Sequence, residues 1–155
     1  MRSKLNLKHF VQVVLITSIW INASEVFRYF VLVRPAVQEF WSGTDRMVAD
    51  MNPMIFGVWG LWDTLVTIVL VVAVWLLRQS SENKRQVILR AATFAWAAIF
   101  LVFWVAAANM NLSGWQILLI ALPLSWLEML VGAWIALALF DRYSLKYPEL
   151  SPETY

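Results

Sequence analysis

The chain has 155 residues, 61% of them hydrophobic and only 14% charged, against roughly 25% charged in an ordinary soluble domain. A water-soluble fold cannot hide that much apolar surface. The net charge of +2 is spread over short segments flanking apolar runs, which topology explains and nucleic-acid binding does not. The lack of cysteine excludes disulfides, thiolate nucleophiles and thiolate metal sites.

The first apolar run covers 10–33, behind Arg2, Lys4 and Lys8. It exceeds the roughly 7 to 15 apolar residues of a secretory leader and ends at no small-x-small cleavage site, so it reads as an uncleaved signal-anchor helix. The lone His9 has no imidazole partner at metal-site spacing and reads as an interfacial residue. In the external loop, 34–53, Val37, Phe40 and Trp41, then Met47, Val48 and Met51, recur near the helical period on either side of Ser42-Gly43. That pattern predicts one or two short amphipathic helices on the outer surface. Pro35 and Pro53 each suit a first helical turn, the latter opening the second span, 54–77. The third span, 91–108, and the fourth, 115–140, are joined by a short uncharged turn whose Ser113-Gly114 pair is placed to start the last helix. The tail, 141–155, carries Pro148 and Pro152 without apolar periodicity and is expected to fray.

Each run is long enough to cross a bilayer at about 1.5 Å per residue. The fold expected is therefore all-α: a single integral membrane four-helix transmembrane bundle with a short amphipathic external segment. Arg2, Lys4, Lys8, Arg78, Lys84, Arg85, Arg90, Arg142 and Lys146 fall on one side, and only Arg34 and Arg46 on the other. This bias places both termini in the cytoplasm of a cell whose inner membrane holds the protein.

Charged residues inside a span cost roughly 2.5 to 3.5 kcal/mol each on insertion scales, so they normally face the bundle interior. Glu25, Arg28, Asp63 and Glu128 are such residues. Ser18, Asn22, Glu25 and Arg28 or Tyr29 follow steps of three or four along one face of the first span; Gly60, Asp63, Thr64 and Thr67 do so in the second, and Ser125, Glu128 and Gly132 in the fourth. Counted from the outer ends, Arg28 lies roughly 8 Å deep, Glu25 roughly 12 Å, Asp63 roughly 13 Å and Glu128 roughly 20 Å. Three carboxylates and one guanidinium sum to −2 when all are ionised, so the group either retains a proton or binds a cation. Pro123 removes a backbone donor and frees the Leu119 carbonyl, which near a polar cavity is a candidate cation ligand. Trp59, one turn before Asp63, is placed to form an aromatic wall beside a carboxylate, an arrangement that suits organic cations.

Glu25, Arg28, Asp63, Thr67, Glu128 and Trp59 are thus the candidate site for a proton, a cation or a small cationic ligand. A second reading stays open, in which the same residues hold the helices, a second copy or a partner span together, as in an accessory subunit. No His-Glu-x-x-His, Gly-x-Ser-x-Gly or phosphate-cradling glycine loop is present, so neither an enzyme nor a cofactor is expected. The run Glu25-Val26-Phe27-Arg28-Tyr29-Phe30 followed by Phe40-Trp41, the turn at 109–114, and the last-span Glu128, Gly132 and Ala133 together resemble uncharacterised small four-helix bacterial integral membrane proteins. That resemblance covers most of the chain and implies a fold but no activity. Ala23-Ser24-Glu25-Val26 and Gly57-Val58-Trp59-Gly60 are similar to fragments of the small multidrug-resistance exporters, which implies an essential glutamate in the first helix and tryptophans around a cavity. The long external loop, the additional acids Asp63 and Glu128, and the one-sided charge bias depart from that pattern.

Overall fold

The computed structural model describes residues 6–45, 49–81 and 83–146. Four helical rods, Leu7–Phe40, Pro53–Arg78, Lys84–Asn109 and Trp115–Ser144, are long and apolar enough to cross a membrane, and no strand occurs among the described residues. The first rod is α1 (Leu7–Arg28), a π-helical turn (Tyr29–Val33) and α2 (Arg34–Phe40); the second is α3 (Pro53–Arg78). The third is α4 (Lys84–Trp96), a second π-helical turn (Ala97–Leu101) and α5 (Val102–Asn109), and the last is α6 (Trp115–Lys146).

Asparagine starts three of the rods. The Asn6 side chain accepts from the Lys8 and His9 amides, Asn52 from Ile55, and Asn83 from Arg85 and Gln86, which satisfies amide donors that a helix start leaves open. Pro53 follows Asn52 at the first turn, where its missing N–H costs nothing. The last helix departs from the expectation. Ser113 Oγ makes no hydrogen bond among the described residues, and the Gly114 carbonyl accepts from the Ile117 amide at 3.0 Å instead.

Three further boundaries differ from the sequence reading, each for a local reason. Helix does not stop at 33 but runs on to Phe40. The turn Tyr29–Val33 is π-helical, with the Arg34 amide bonding back to the Tyr29 carbonyl, and the wider turn accommodates the missing donor and bulky ring of Pro35 without a break. The third rod starts at Lys84, because Asn83 caps it there. The last helix continues past 140 to Lys146, because its end is tied down. Asp141 accepts from Arg78 at 3.1 Å and pairs with Lys84 at 2.6 Å, Arg78 also donates to Ser144 at 2.9 Å, and Tyr143 stacks on His9 with centroids 4.7 Å apart. Of the external segment, α2 is helical with no buried residue and Met51 is not helical. Arg2, Lys4, Arg46, Met47, Val48, Pro148 and Pro152 lie outside the described residues.

These contacts gather the start of α1, the end of α3, the start of α4 and the end of α6 at one end, here the terminal end. Neighbouring rods therefore run antiparallel. Between the ends, α6 packs on α1, α3 and α4, and α3 packs on α1 and α4. The contact face of α4 is made of Val87, Ala91, Ala92 and Ala95, all buried, and small side chains let helices approach closely. The tightest approach is at Gly132, where an added Cβ would lie 2.9 Å from a Leu70 methyl and 3.0 Å from an Ile21 methyl. Toward the loop end packing loosens. Met54, Phe56, Val58, Trp59, Leu61 and Trp62 on the first turns of α3 are each at least 36% exposed.

Candidate functional site

Because Cβ atoms three and four residues apart share a helix face, the buried face of α1 runs through Thr17, Ile21, Glu25 and Arg28. It brings Glu25 and Arg28 against Glu128 on α6. The Arg28 guanidinium hydrogen-bonds Glu25 Oε1 and holds its Nε 3.5 Å from Glu128 Oε2. Its Cζ lies 5.3 Å from the centre of the Phe100 ring, in the second π-helical turn. Ser24 Oγ donates to Glu128 Oε2 at 3.0 Å, and Trp20 Nε1 donates to the Glu128 backbone carbonyl at 3.1 Å. One guanidinium thus bridges two carboxylates, each buried, across the α1–α6 contact.

Asp63, on α3, is also buried, and no ion pair or hydrogen bond joins it to Glu128. It lines a void of about 40 Å³ together with Glu25, Asn22, Trp59 and Gly60, so Glu25 belongs both to the ion-paired group and to the void that Asp63 borders. Two carboxylate oxygens, Asp63 Oδ1 and Glu128 Oε1, are buried without a hydrogen-bond donor among the described residues. Each is an acceptor withdrawn from water, a costly state at low dielectric.

The remaining expectations divide. Thr67 is fully buried but spends its hydroxyl on the Asp63 backbone carbonyl at 2.7 Å, and Thr64 does the same to Gly60 at 2.7 Å. Ser18 and Asn22 likewise bond within α1, to the carbonyls of Leu15 and Ser18. Such back-bonding satisfies a lone polar group within its own helix, so the three hydroxyls lend the cluster no donor, whereas Asn22 spends only one of its two side-chain N–H groups this way. Trp59 borders the void, 36% exposed, with its ring 5.7 Å from that of Tyr29. Gly60 does not serve close helix packing, since a Cβ there would meet nothing within 4 Å. Leu119 and Pro123 line an open groove with Trp96, Trp115 and Trp126, which none of the four charged residues borders. The Leu119 carbonyl is therefore no ligand for this cluster.

Ser24 and Phe100 were not assigned to the candidate site from the sequence. Ser24 precedes Arg28 by one turn, a spacing that could have flagged it, whereas Trp20 and Phe100 acquire their partners only through tertiary packing. Trp20, Trp96 and Trp126 all donate an indole N–H between helices, the latter two to the Leu122 carbonyl at 2.9 Å and to Thr93 Oγ1 at 3.1 Å. A larger cavity, about 450 Å³, opens toward the loop end and is walled by Val58, Trp59 and Trp62 on α3 and Phe103, Trp104 and Ala107 on α5. Glu25 and Arg28 also border it, as do Arg34 and Ser113. Among the described residues no group of three His, Cys, Asp or Glu side chains is placed to hold a metal ion. No family model, curated protein or solved structure matches the chain.

Proposed function

We propose that this is an integral protein of the inner membrane, crossing it four times with both termini in the cytoplasm, and that its buried carboxylates bind a proton. Residence in lipid is supported by the outward faces of the rods, where Leu15, Ile19, Val102, Leu119 and Trp134 are each more than half exposed. In water such a surface would aggregate, whereas in a bilayer it is the ordinary exterior. Lys8, Arg78, Lys84, Arg85, Arg90 and Arg142 collect at the terminal end, and the bias of Lys and Arg toward the cytoplasm sets the orientation.

The observation that carries the proton reading is the pair of orphaned oxygens, Asp63 Oδ1 and Glu128 Oε1, among three buried carboxylates of which the one guanidinium reaches only Glu25 and Glu128. A proton on one of these groups removes a negative charge and turns a lone acceptor into a donor. A metal ion is a poorer fit, given the spacing of the acids. An organic cation is poorer too, because the charged residues bordering the large cavity, Arg28 and Arg34 against Glu25, sum to +1. Ionisable groups at this depth are the parts from which proton relays and proton-coupled transporters are built.

The test is infrared difference spectroscopy of the protein in lipid, together with proton flux into liposomes followed by an internal pH-sensitive dye. A carboxyl band that titrates in the folded protein and disappears in Asp63→Asn or Glu128→Gln is expected. Folded protein in which neither acid contributes a titrating band would overturn the proposal. The structural reading has its own support, because Glu128 ties α1 to α6 through Ser24, Arg28 and Trp20. It expects the neutral variants to lose assembly rather than proton binding.

A further inference from the structure

We propose that the cavity of about 450 Å³ at the loop end is a binding site for an anionic phospholipid, one acyl chain lying between α3 and α5 and the phosphate meeting Arg34 and Ser113. The site adjoins the ion-paired group at Glu25 and Arg28 but rests only on the membrane reading and not on proton binding, since Asp63 and Glu128 do not border this cavity.

Three features of the cavity specify the ligand. Its walls between the polar ends are apolar, formed by Val33, Val58, Phe103, Trp104, Ala107 and Leu112. An unfilled space of this size within a bilayer forfeits dispersion contacts along its lining, and the occupant available at that depth is a hydrocarbon chain. Access lies beside α3, whose Val58, Trp59 and Trp62 are 62%, 36% and 39% exposed. The inner limit is closed by Glu25 and Arg28, which neutralise each other, so the deep end offers a chain terminus no uncompensated charge.

The polar groups nearer the loop end are both donors. Ser113 is only 4% exposed, and its hydroxyl has no hydrogen-bond partner among the described residues. Arg34 Nε is likewise buried and unpartnered, although the other side of its guanidinium reaches Asp50 Oδ1 at 3.2 Å. Asp50 has a side chain 96% exposed, and exposed ion pairs of this kind are weak and exchangeable. Arg34 lies nine residues beyond Glu25 along a continuous helix, or roughly 13 Å along its axis. The cavity thus has an apolar body, a neutral floor and a donor-rich mouth. A phosphate oxygen accepts from both donors, and arginine is the side chain best suited to it. A cationic ligand would be repelled by Arg34, and a purely apolar one would leave both groups unanswered.

The experiment is native mass spectrometry of the full-length protein released from nanodiscs of phosphatidylcholine with an equal minor fraction of phosphatidylglycerol or palmitate. One phosphatidylglycerol retained per chain in preference to phosphatidylcholine is expected. Ser113→Ala and Arg34→Gln should each weaken that retention by about tenfold, the effect of losing one charge-assisted hydrogen bond. Ala107→Trp, which fills the cavity, should abolish it, while Asp63→Asn should leave it unchanged. Thermal unfolding of each variant separates loss of the lipid from loss of the fold. Equal retention of phosphatidylcholine, retention unaffected by both mouth variants in folded protein, or palmitate held in place of phosphatidylglycerol would overturn the assignment.

Discussion

Arg28 is the residue on which the cluster turns, since it neutralises Glu25 and approaches Glu128 from a side chain that is only 6% exposed. Breaking a buried pair by removing one partner leaves an uncompensated charge, at a cost of about 3 to 5 kcal/mol. Arg28→Gln is therefore expected to destabilise the protein by that amount in detergent unfolding. Glu25→Gln should cost less, because the Arg28 guanidinium still faces Glu128. The double variant should recover part of the loss. Ser24→Ala removes one interhelical hydrogen bond to Glu128, worth about 0.6 kcal/mol on average in lipid. An effect of Ser24→Ala as large as that of Arg28→Gln would mean that the hydroxyl, not the guanidinium, holds Glu128.

At the scale of the elements, the two glycines on polar faces make opposite predictions. Gly132 sits where α6 meets α1 and α3, with methyls of Leu70 and Ile21 in the way of any Cβ. Gly132→Ala should lower stability by about 1 to 3 kcal/mol, the usual penalty for overpacking. Gly60 has open space around it, so Gly60→Ala should be neutral or stabilising by up to about 1 kcal/mol through helix propensity. Equal losses at both positions, measured by unfolding in the same detergent, would contradict this division. In sequence both read as small residues beside an acid; only the neighbouring helices distinguish them. The π-helical turns are similar, because nothing in Tyr29–Val33 or Ala97–Leu101 announces an extra residue per turn. Both nevertheless flank the cluster, one directly after Arg28 and the other carrying Phe100.

For the whole molecule, the terminal end is held by Asp141, which receives both Arg78 and Lys84. These side chains are partly exposed, so Asp141→Asn should cost no more than about 1 kcal/mol, read from thermal unfolding. It should loosen the last turn of α6 more than the cluster, which hydrogen exchange would register as faster exchange confined to 137–146. The topology is tested by reporters fused after Tyr155 and within the 80–84 loop, both expected to be cytoplasmic, and by one near Thr44, expected to be external. A cytoplasmic signal from the Thr44 fusion would reverse the orientation.

The number of long apolar helices was legible in the chain because bilayer-length hydrophobic runs leave few alternatives to helix. Glu25, Arg28, Asp63 and Glu128 stood out for a related reason, since a charge in such a run must find company inside the bundle. Helical phasing was less reliable. It put Ser18 in the polar group, whereas back-bonding satisfies it within α1 and the buried face runs through Thr17 and Ile21 instead; Asn22 back-bonds as well but does line the void beside Asp63. Which charges touch was decided by tertiary packing alone. Arg28 on α1 meets Glu128 a hundred residues later because the Gly132 contact brings α6 close to α1, while Asp63 adjoins Glu25 across a small void. Periodicity specifies the face of a helix but not the rotation and depth at which it meets its neighbours. Those depend on side-chain shapes at every contact at once, and on them rest both the two orphaned carboxylate oxygens and the cavity at the loop end.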